Sequence, residues 1–456
     1  MRLALTTICF AAACTGKSTN LNPVQPIEPV GGGPVETPTG PAKPTKPVTN
    51  RSLAAIGLDP AALDRSADPC SDFYQFACGG WMKTTEIPAD KPIAMRSFVA
   101  IEDRNTEYEK TVLEGLRVKA ESPVEKQLAA YYGSCMDEAA IEKAGLKPFQ
   151  PLVGTIARVK DAKSLSAAIA TLHAAGFSVL FALYPAQDSA DARNVIADIE
   201  QGGLGLPDRD YYLNTDDQSK GLRTAYEGHV ANMLVEMGRT PAVARTEAAA
   251  IVALETSIAK VSKDKVAKRD PKGMYNKIDR DGVAKKMPKF DWNGFWKTVG
   301  LDKVKDITVG SPDFLVGVDA LLASTKPEVW RAYLTFHLAQ RIAAYAPKKF
   351  EETQFKFASA LTGQPEMEPR WKRCTGQTDG ALGDLLGQLF VRDRFPGASK
   401  TAAEEQVAAI TRAMVANLAA LPWMDATTKA KANEKLKAME NQIGYPKTWR
   451  SYTFKL

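Results

Sequence analysis

The side chains best suited to catalysis in this chain are three histidines, His173, His229 and His337, and six cysteines. Two histidines one helical turn apart with a glutamate between them, His-Glu-x-x-His, would do specific chemistry. The imidazoles would share one face and hold a zinc ion, and the glutamate would take the proton of the metal-bound water. Here no histidine is followed by glutamate, and none has a second histidine four residues on. Carboxylates are plentiful, but no spacing pairs them into an acid–base site, and there is no Gly-x-Ser-x-Gly elbow. The sequence therefore assigns no catalytic residue and no metal ligand within this chain.

The elements that carry the histidines explain them otherwise. A helix is expected over about Ser219–Met237, closed by Gly238, with Leu222, Tyr226, His229, Val230, Met233 and Met237 as its apolar stripe. His173 follows Leu165, Ile169 and Leu172 on an apolar face, and His337 follows Trp330 and Tyr333. All three read as buried, hydrogen-bonded core histidines. Ser122-Pro123-Val124-Glu125 is a capping box with proline at the first helical position. Val124, Leu128, Tyr131, Tyr132 and Cys135 then form one apolar face. Ala-rich helices are expected over 243–261 and 402–420, with another near 427–442 ending at Gly444. Gly383 and Gly387 have the spacing of close helix contact. One hairpin interrupts the helices, Phe177–Tyr184 pairing with Asn194–Ile199. No repeat of 20–50 residues is present, and the fold class reads as mainly α with a small β-hairpin.

Composition sets the surroundings. The 456 residues are 45% hydrophobic and 25% charged, with net charge +6, ordinary for a soluble globular protein. Residues 260–289 hold eleven Lys or Arg against four Asp. The interrupting acids favour a solvated, structural stretch over a nucleic-acid patch, so no nucleic-acid partner is expected. Met1-Arg2 and the short apolar run Leu3–Ala13 read as an export signal, far too short to span a bilayer. Ala11-Ala12-Ala13-Cys14 resembles a lipoprotein cleavage box, which would make Cys14 a lipid-modified anchor and place the protein in the cell envelope. Gly16-Lys17-Ser18-Thr19 looks like the end of a phosphate-binding loop, but Ala11 stands where its first glycine is needed. Eight prolines between Pro23 and Pro47 mark 15–50 as a disordered spacer that would tether the globule to a membrane.

Five segments in order carry a resemblance. They are Asp68-Pro69-Cys70 through Cys78-Gly79-Gly80-Trp81, Ser134-Cys135-Met136-Asp137-Glu138 and Gly203-Leu204-Gly205-Leu206-Pro207-Asp208-Arg209-Asp210-Tyr211-Tyr212-Leu213. Arg370-Trp371-Lys372-Arg373-Cys374 and Ile443-Gly444-Tyr445-Pro446 through Arg450 follow. Together they resemble the N-terminal portion of the neprilysin and endothelin-converting-enzyme family of zinc metalloendopeptidases. The resemblance implies a zinc-bearing catalytic half, absent from this sequence, that hydrolyses oligopeptides, and a helical cap domain that closes over it. Residues 51–98 would pack on that half, 99–445 would be the cap, and 446–456 would begin the link; 1–14 and 15–50 are the signal and spacer. The resemblance also implies a Cys135–Cys374 disulfide, leaves Cys70 and Cys78 as orphan cysteines, and makes Arg96 a candidate substrate contact. It implies no cofactor in this chain and zinc in the intact enzyme. A non-catalytic helical lipoprotein that binds peptides or a partner is the alternative.

Overall fold

The computed structural model describes residues 59–453, so the signal, Cys14 and the proline-rich spacer lie outside the described residues. The chain divides at Ile87/Pro88 into two compact units.

In the first unit, Asp72 accepts from the Gln75 N–H and starts helix α1 (Phe73–Thr84). Asp64, buried, accepts from Lys83 Nζ at 2.8 Å and Gln75 Nε2 at 2.9 Å. Lys83 first, then Ser66 and Gln75, hold its carboxyl far below the usual range. Two adjacent glycines admit this packing. A Cβ on Gly79 would lie 2.7 Å from Asp64 Cβ, and one on Gly80 would lie 2.2 Å from Ala61 O. That accounts for Gly79-Gly80 in structural terms.

The second unit begins with α2 (Val99–Val118), α3 (Pro123–Met136), α4 (Glu138–Ala144), α5 (Gln150–Ala157) and α6 (Ala162–Ala174). The Ser122 capping box forms, with both reciprocal bonds present. A hairpin follows, β1 (Phe181–Asp188) and β2 (Asp191–Gln201). Then come α7 (Asp210–Leu213), α8 (Asp217–Glu236), α9 (Pro241–Val261), α10 (Pro271–Met274), β3 (Lys277–Asp279), α11 (Arg280–Lys286), α12 (Trp292–Thr298) and β4 (Asp306–Val309). Last are α13 (Pro312–Ser324), α14 (Pro327–Ile342), α15 (Lys348–Thr362), α16 (Arg370–Arg394), α17 (Gly397–Ala420) and α18 (Ala426–Ala438).

The expected hairpin is part of a larger sheet. Its order is β1-β2-β4-β3, with β2 and β4 parallel and the other pairs antiparallel. Strands β3 and β4 are only three and four residues long, too short for alternation to be read from sequence. Asp188 secures the hairpin end: 1% exposed, it accepts from Tyr275 Oη at 2.6 Å and Lys277 Nζ at 2.7 Å. The basic stretch is thereby structural. Lys263 Nζ donates to Gly273 O and Gly310 O, and Lys265 and Lys268 pair with Asp210 and Glu200.

Two hydrophobic clusters result. The larger packs α5–α9, α11–α15 and the sheet around Phe181, Tyr226, Trp296, Trp330 and Tyr333. The smaller joins α2, α3 and α16 through Leu113, Leu128, Tyr132, Leu382 and Leu386. The Cys135–Cys374 disulfide forms inside the smaller one, with its Cα atoms 5.7 Å apart. Gly383 and Gly387 do not mediate a helix contact. Gly387 leaves room for the Trp449 ring, and Gly383 meets only Asp379 of its own helix.

Candidate functional site

Two sequence motifs of the second unit, Gly203–Leu213 and Arg370–Cys374, prove to be hydrogen-bonding nodes. Glu255 on α9 is fully buried. Its Oε2 accepts from Tyr212 Oη at 2.7 Å and Tyr226 Oη at 2.8 Å, and its Oε1 lies 2.8 Å from His337 Nε2. Tyr212 Oη in turn accepts from the N–H of Gly205 and Leu206. Tyr333 Oη donates to Gly203 O. Gly203 has φ +81°, and a Cβ on Gly205 would sit 1.8 Å from Tyr226 Oη. The Gly203–Tyr212 loop is therefore pinned by one carboxylate, and its glycines are required by close approach and positive φ. Burial, and then the Glu255 charge, push the Tyr212 and Tyr226 phenols upward.

The Arg370–Cys374 motif forms a second node. Arg370 donates to Cys135 O at 2.9 Å and 2.6 Å and to Glu351 Oε2 at 2.7 Å. Arg373 donates to both Glu351 oxygens, at 3.3 Å and 3.0 Å. Glu351 is only 7% exposed, so two guanidinium forks compensate one buried charge. Lys110 sits 4.1 Å above the Trp371 ring.

The histidines do not converge into a site. His173 Nε2 lies 2.9 Å from Val179 O. His337 belongs to the Glu255 node. His229 is buried as expected, but neither ring nitrogen makes a hydrogen bond of good geometry. Its ring stacks on Phe357 at 4.7 Å instead. Burial lowers its pKa to about 4, and the nearby Thr353 backbone opposes this only partly. Among the described residues, no group of three or more His, Cys, Asp or Glu side chains is placed to hold a metal ion. The described residues do not fit zinc.

One cleft of the second unit does gather perturbed groups. It has a volume of about 460 Å³ and lies between α2 and α16. Phe98, 83% exposed, and Ile101 give it an apolar side; Glu102, Glu109, Glu368 and Asp379 give it an acidic one. Lys372, bonded to Asp90 at 3.0 Å, is its cation. Burial and then the charges of Asp379 and Glu102 raise Glu109 to about 7, and burial raises Asp379. Perturbed carboxyls in a cleft mark a candidate for ligand contact. Arg96, exposed, stands in a bend two residues before Phe98.

A pH dependence follows from Glu109. Its folded pKa lies above the ordinary 4.5, so the folded chain holds the proton longer than the unfolded one. The resulting stability is complete below about 4.5 and is lost as pH rises toward about 7. Glu109→Gln mimics the protonated form. It is expected to leave Tm unchanged at pH 4 and raise it at pH 8, by differential scanning fluorimetry. An equal effect at both pH values would mean that solvent screens the site.

Cys70, exposed, and Cys78, half-buried, are free thiols in this structure. Sequence reasoning missed Glu255 and the Glu109–Asp379 pair. Glu255 had a signal: it interrupts the α9 stripe Ala248, Ile251, Ile258 with a lone acid.

Residues 69–446 match the model of peptidase family M13, in its N-terminal part. The chain is 32% identical over 405 residues to an endothelin-converting enzyme homolog of Locusta migratoria, covering 84% of this chain and 55% of that protein. It is 30% identical over 399 residues to endothelin-converting enzyme 1 of Rattus norvegicus, covering 84% and 52%. The fold superposes on the zinc metalloprotease Zmp1 of Mycobacterium tuberculosis, solved in complex with an inhibitor. The TM-score is 0.81 at 30% identity, covering 87% of this chain and 60% of that one. The chain spans about half the length of the curated relatives it matches.

Proposed function

The chain belongs to peptidase family M13, and from that premise we propose that it forms the cap portion of an exported zinc metalloendopeptidase acting on oligopeptides. The zinc and the general base lie outside this sequence. The observation that carries the reading is the match over 69–446 combined with a described donor set that cannot assemble a metal site. The cap restricts access and contributes peptide contacts through the α2–α16 cleft and Arg96. Helix α17 supports a docking role. It has no buried residue, and Ile410 and Met414 are 61% and 48% exposed, an apolar face suited to a partner surface. Cys70 and Cys78 serve as bridging positions toward the zinc-bearing portion. Cys14 acts as a lipid anchor at the cell envelope, with the proline-rich stretch as spacer; no described helix is long and apolar enough to cross a membrane.

The test is complementation. The chain would be mixed with, or fused to, the zinc-bearing C-terminal portion of a full-length relative and assayed on an oligopeptide library. Chelator-sensitive cleavage is expected in the combination, with neither part active alone. No association and no gain of cleavage in either format would favour the non-catalytic partner-binding alternative, for which α17 offers the surface.

A further inference from the structure

We propose that the α2–α16 cleft is a specificity pocket for a basic side chain, lysine or arginine, of the peptide that the cap contacts; the inference rests on that peptide-cap reading. Two helix stripes form the cleft. On α2, Phe98, Glu102, Thr106 and Glu109 follow at i, i+4, i+8 and i+11, one face of the helix. On α16, Lys372, Gly376 and Asp379 follow at i, i+4 and i+7. Gly376 leaves the α16 side open: a Cβ there would meet no atom within 4 Å. Glycine weakens a helix interior, so this opening is kept at a cost. Phe98 and Ile101 are 83% and 43% exposed, an apolar side with nothing covering it.

The charges of the lining do not balance. Lys372, its cation, is already held by Asp90 at 3.0 Å and Glu368 at 3.1 Å. Glu102, Glu109 and Asp379 remain. Among the described residues none of the three forms an ion pair, and the charges that Glu109 feels are those of Asp379 and Glu102, both of its own sign. The three are not gathered into a group able to hold a metal ion. An organic cation meets them instead. Lysine and arginine carry a charged head that reaches separated carboxylates and an apolar stem that lies along Phe98 and Ile101. The whole chain has net charge +6, so long-range attraction alone would favour acidic peptides. A preference for basic ones is a local property of the cleft.

The test is fluorescence polarisation of the full chain with dye-labelled hexapeptides that differ at one central position, which is lysine, arginine, glutamine, norleucine or glutamate. The lysine and arginine peptides are expected to bind about tenfold more tightly than the glutamine one, and added salt should shrink the difference. The Glu102→Gln, Asp379→Asn double variant should lose that preference while keeping its affinity for the norleucine peptide. Gly376→Leu, which fills the opening without touching a charge, should weaken all five; circular dichroism confirms that each variant is folded. Binding without preference, or a preference unchanged in the double variant, would overturn this proposal and leave the peptide-cap reading standing. No binding by any of the five would remove that reading and the proposal with it. Loss of the preference in micromolar calcium would assign the carboxylates to a metal and overturn the proposal as well.

Discussion

Replacing both Cys135 and Cys374 with alanine is expected to remove roughly 5 kcal/mol of stability, because the bond closes a loop of 239 residues and restricts the unfolded chain accordingly. The loss should not be spread evenly. The disulfide ties α3 to α16 inside the smaller cluster, where Leu113, Leu128, Tyr132, Leu385 and Leu386 supply the packing. The larger core holds many more buried aromatics and does not depend on that link. Urea unfolding of the double variant should therefore show the α2–α3–α16 region opening first, followed by the rest. The Arg370 bonds to Cys135 O survive the substitution and set a floor under the loss. A single transition at an unchanged midpoint would mean that the unfolded chain is already compact enough for the cross-link to matter little.

The second large effect is expected at Glu255. Changing it to alanine strands Tyr212 Oη, Tyr226 Oη and His337 Nε2 in a buried site. Removing one partner of a buried charged network costs about 3–5 kcal/mol, since the remaining polar groups keep their desolvation penalty. Glu255→Gln should cost less, because one oxygen still accepts. A local readout separates this from general destabilisation. The Gly205 and Leu206 amides donate to Tyr212 Oη, so their hydrogen exchange should accelerate in both variants. Unchanged exchange there would mean that the loop is held by its glycine geometry and not by the carboxylate.

Much of this architecture can be read from side-chain spacing. The Ser122 capping box, the α8 stripe through Tyr226, His229, Val230 and Met233, and α9 ending at Val261 stand where the apolar periodicity puts them. The resemblance to family sequences added the Cys135–Cys374 bond, which no spacing could single out among the possible pairings. What escaped was tertiary. Strands β3 and β4 exist only because β4 joins β2 in parallel across a long helical crossover. Gly387 accommodates Trp449, sixty-two positions further on, instead of a neighbouring helix. His229 looks like any hydrogen-bonded core histidine until the ring is seen stacked on Phe357. The α2–α16 cleft was equally hidden, because Glu109 and Asp379 meet across 270 positions of sequence.

The central claim is that this chain caps a zinc peptidase without holding the zinc. It is tested most directly by metal analysis of the purified chain after incubation with zinc and dialysis, with oligopeptide cleavage assayed in parallel, with and without chelator. With no described group of three metal-ligating side chains, the account predicts less than stoichiometric zinc and no chelator-sensitive cleavage, since water without a metal is far too weak an acid to supply hydroxide near neutral pH. One tightly held zinc per chain together with chelator-sensitive cleavage would contradict it.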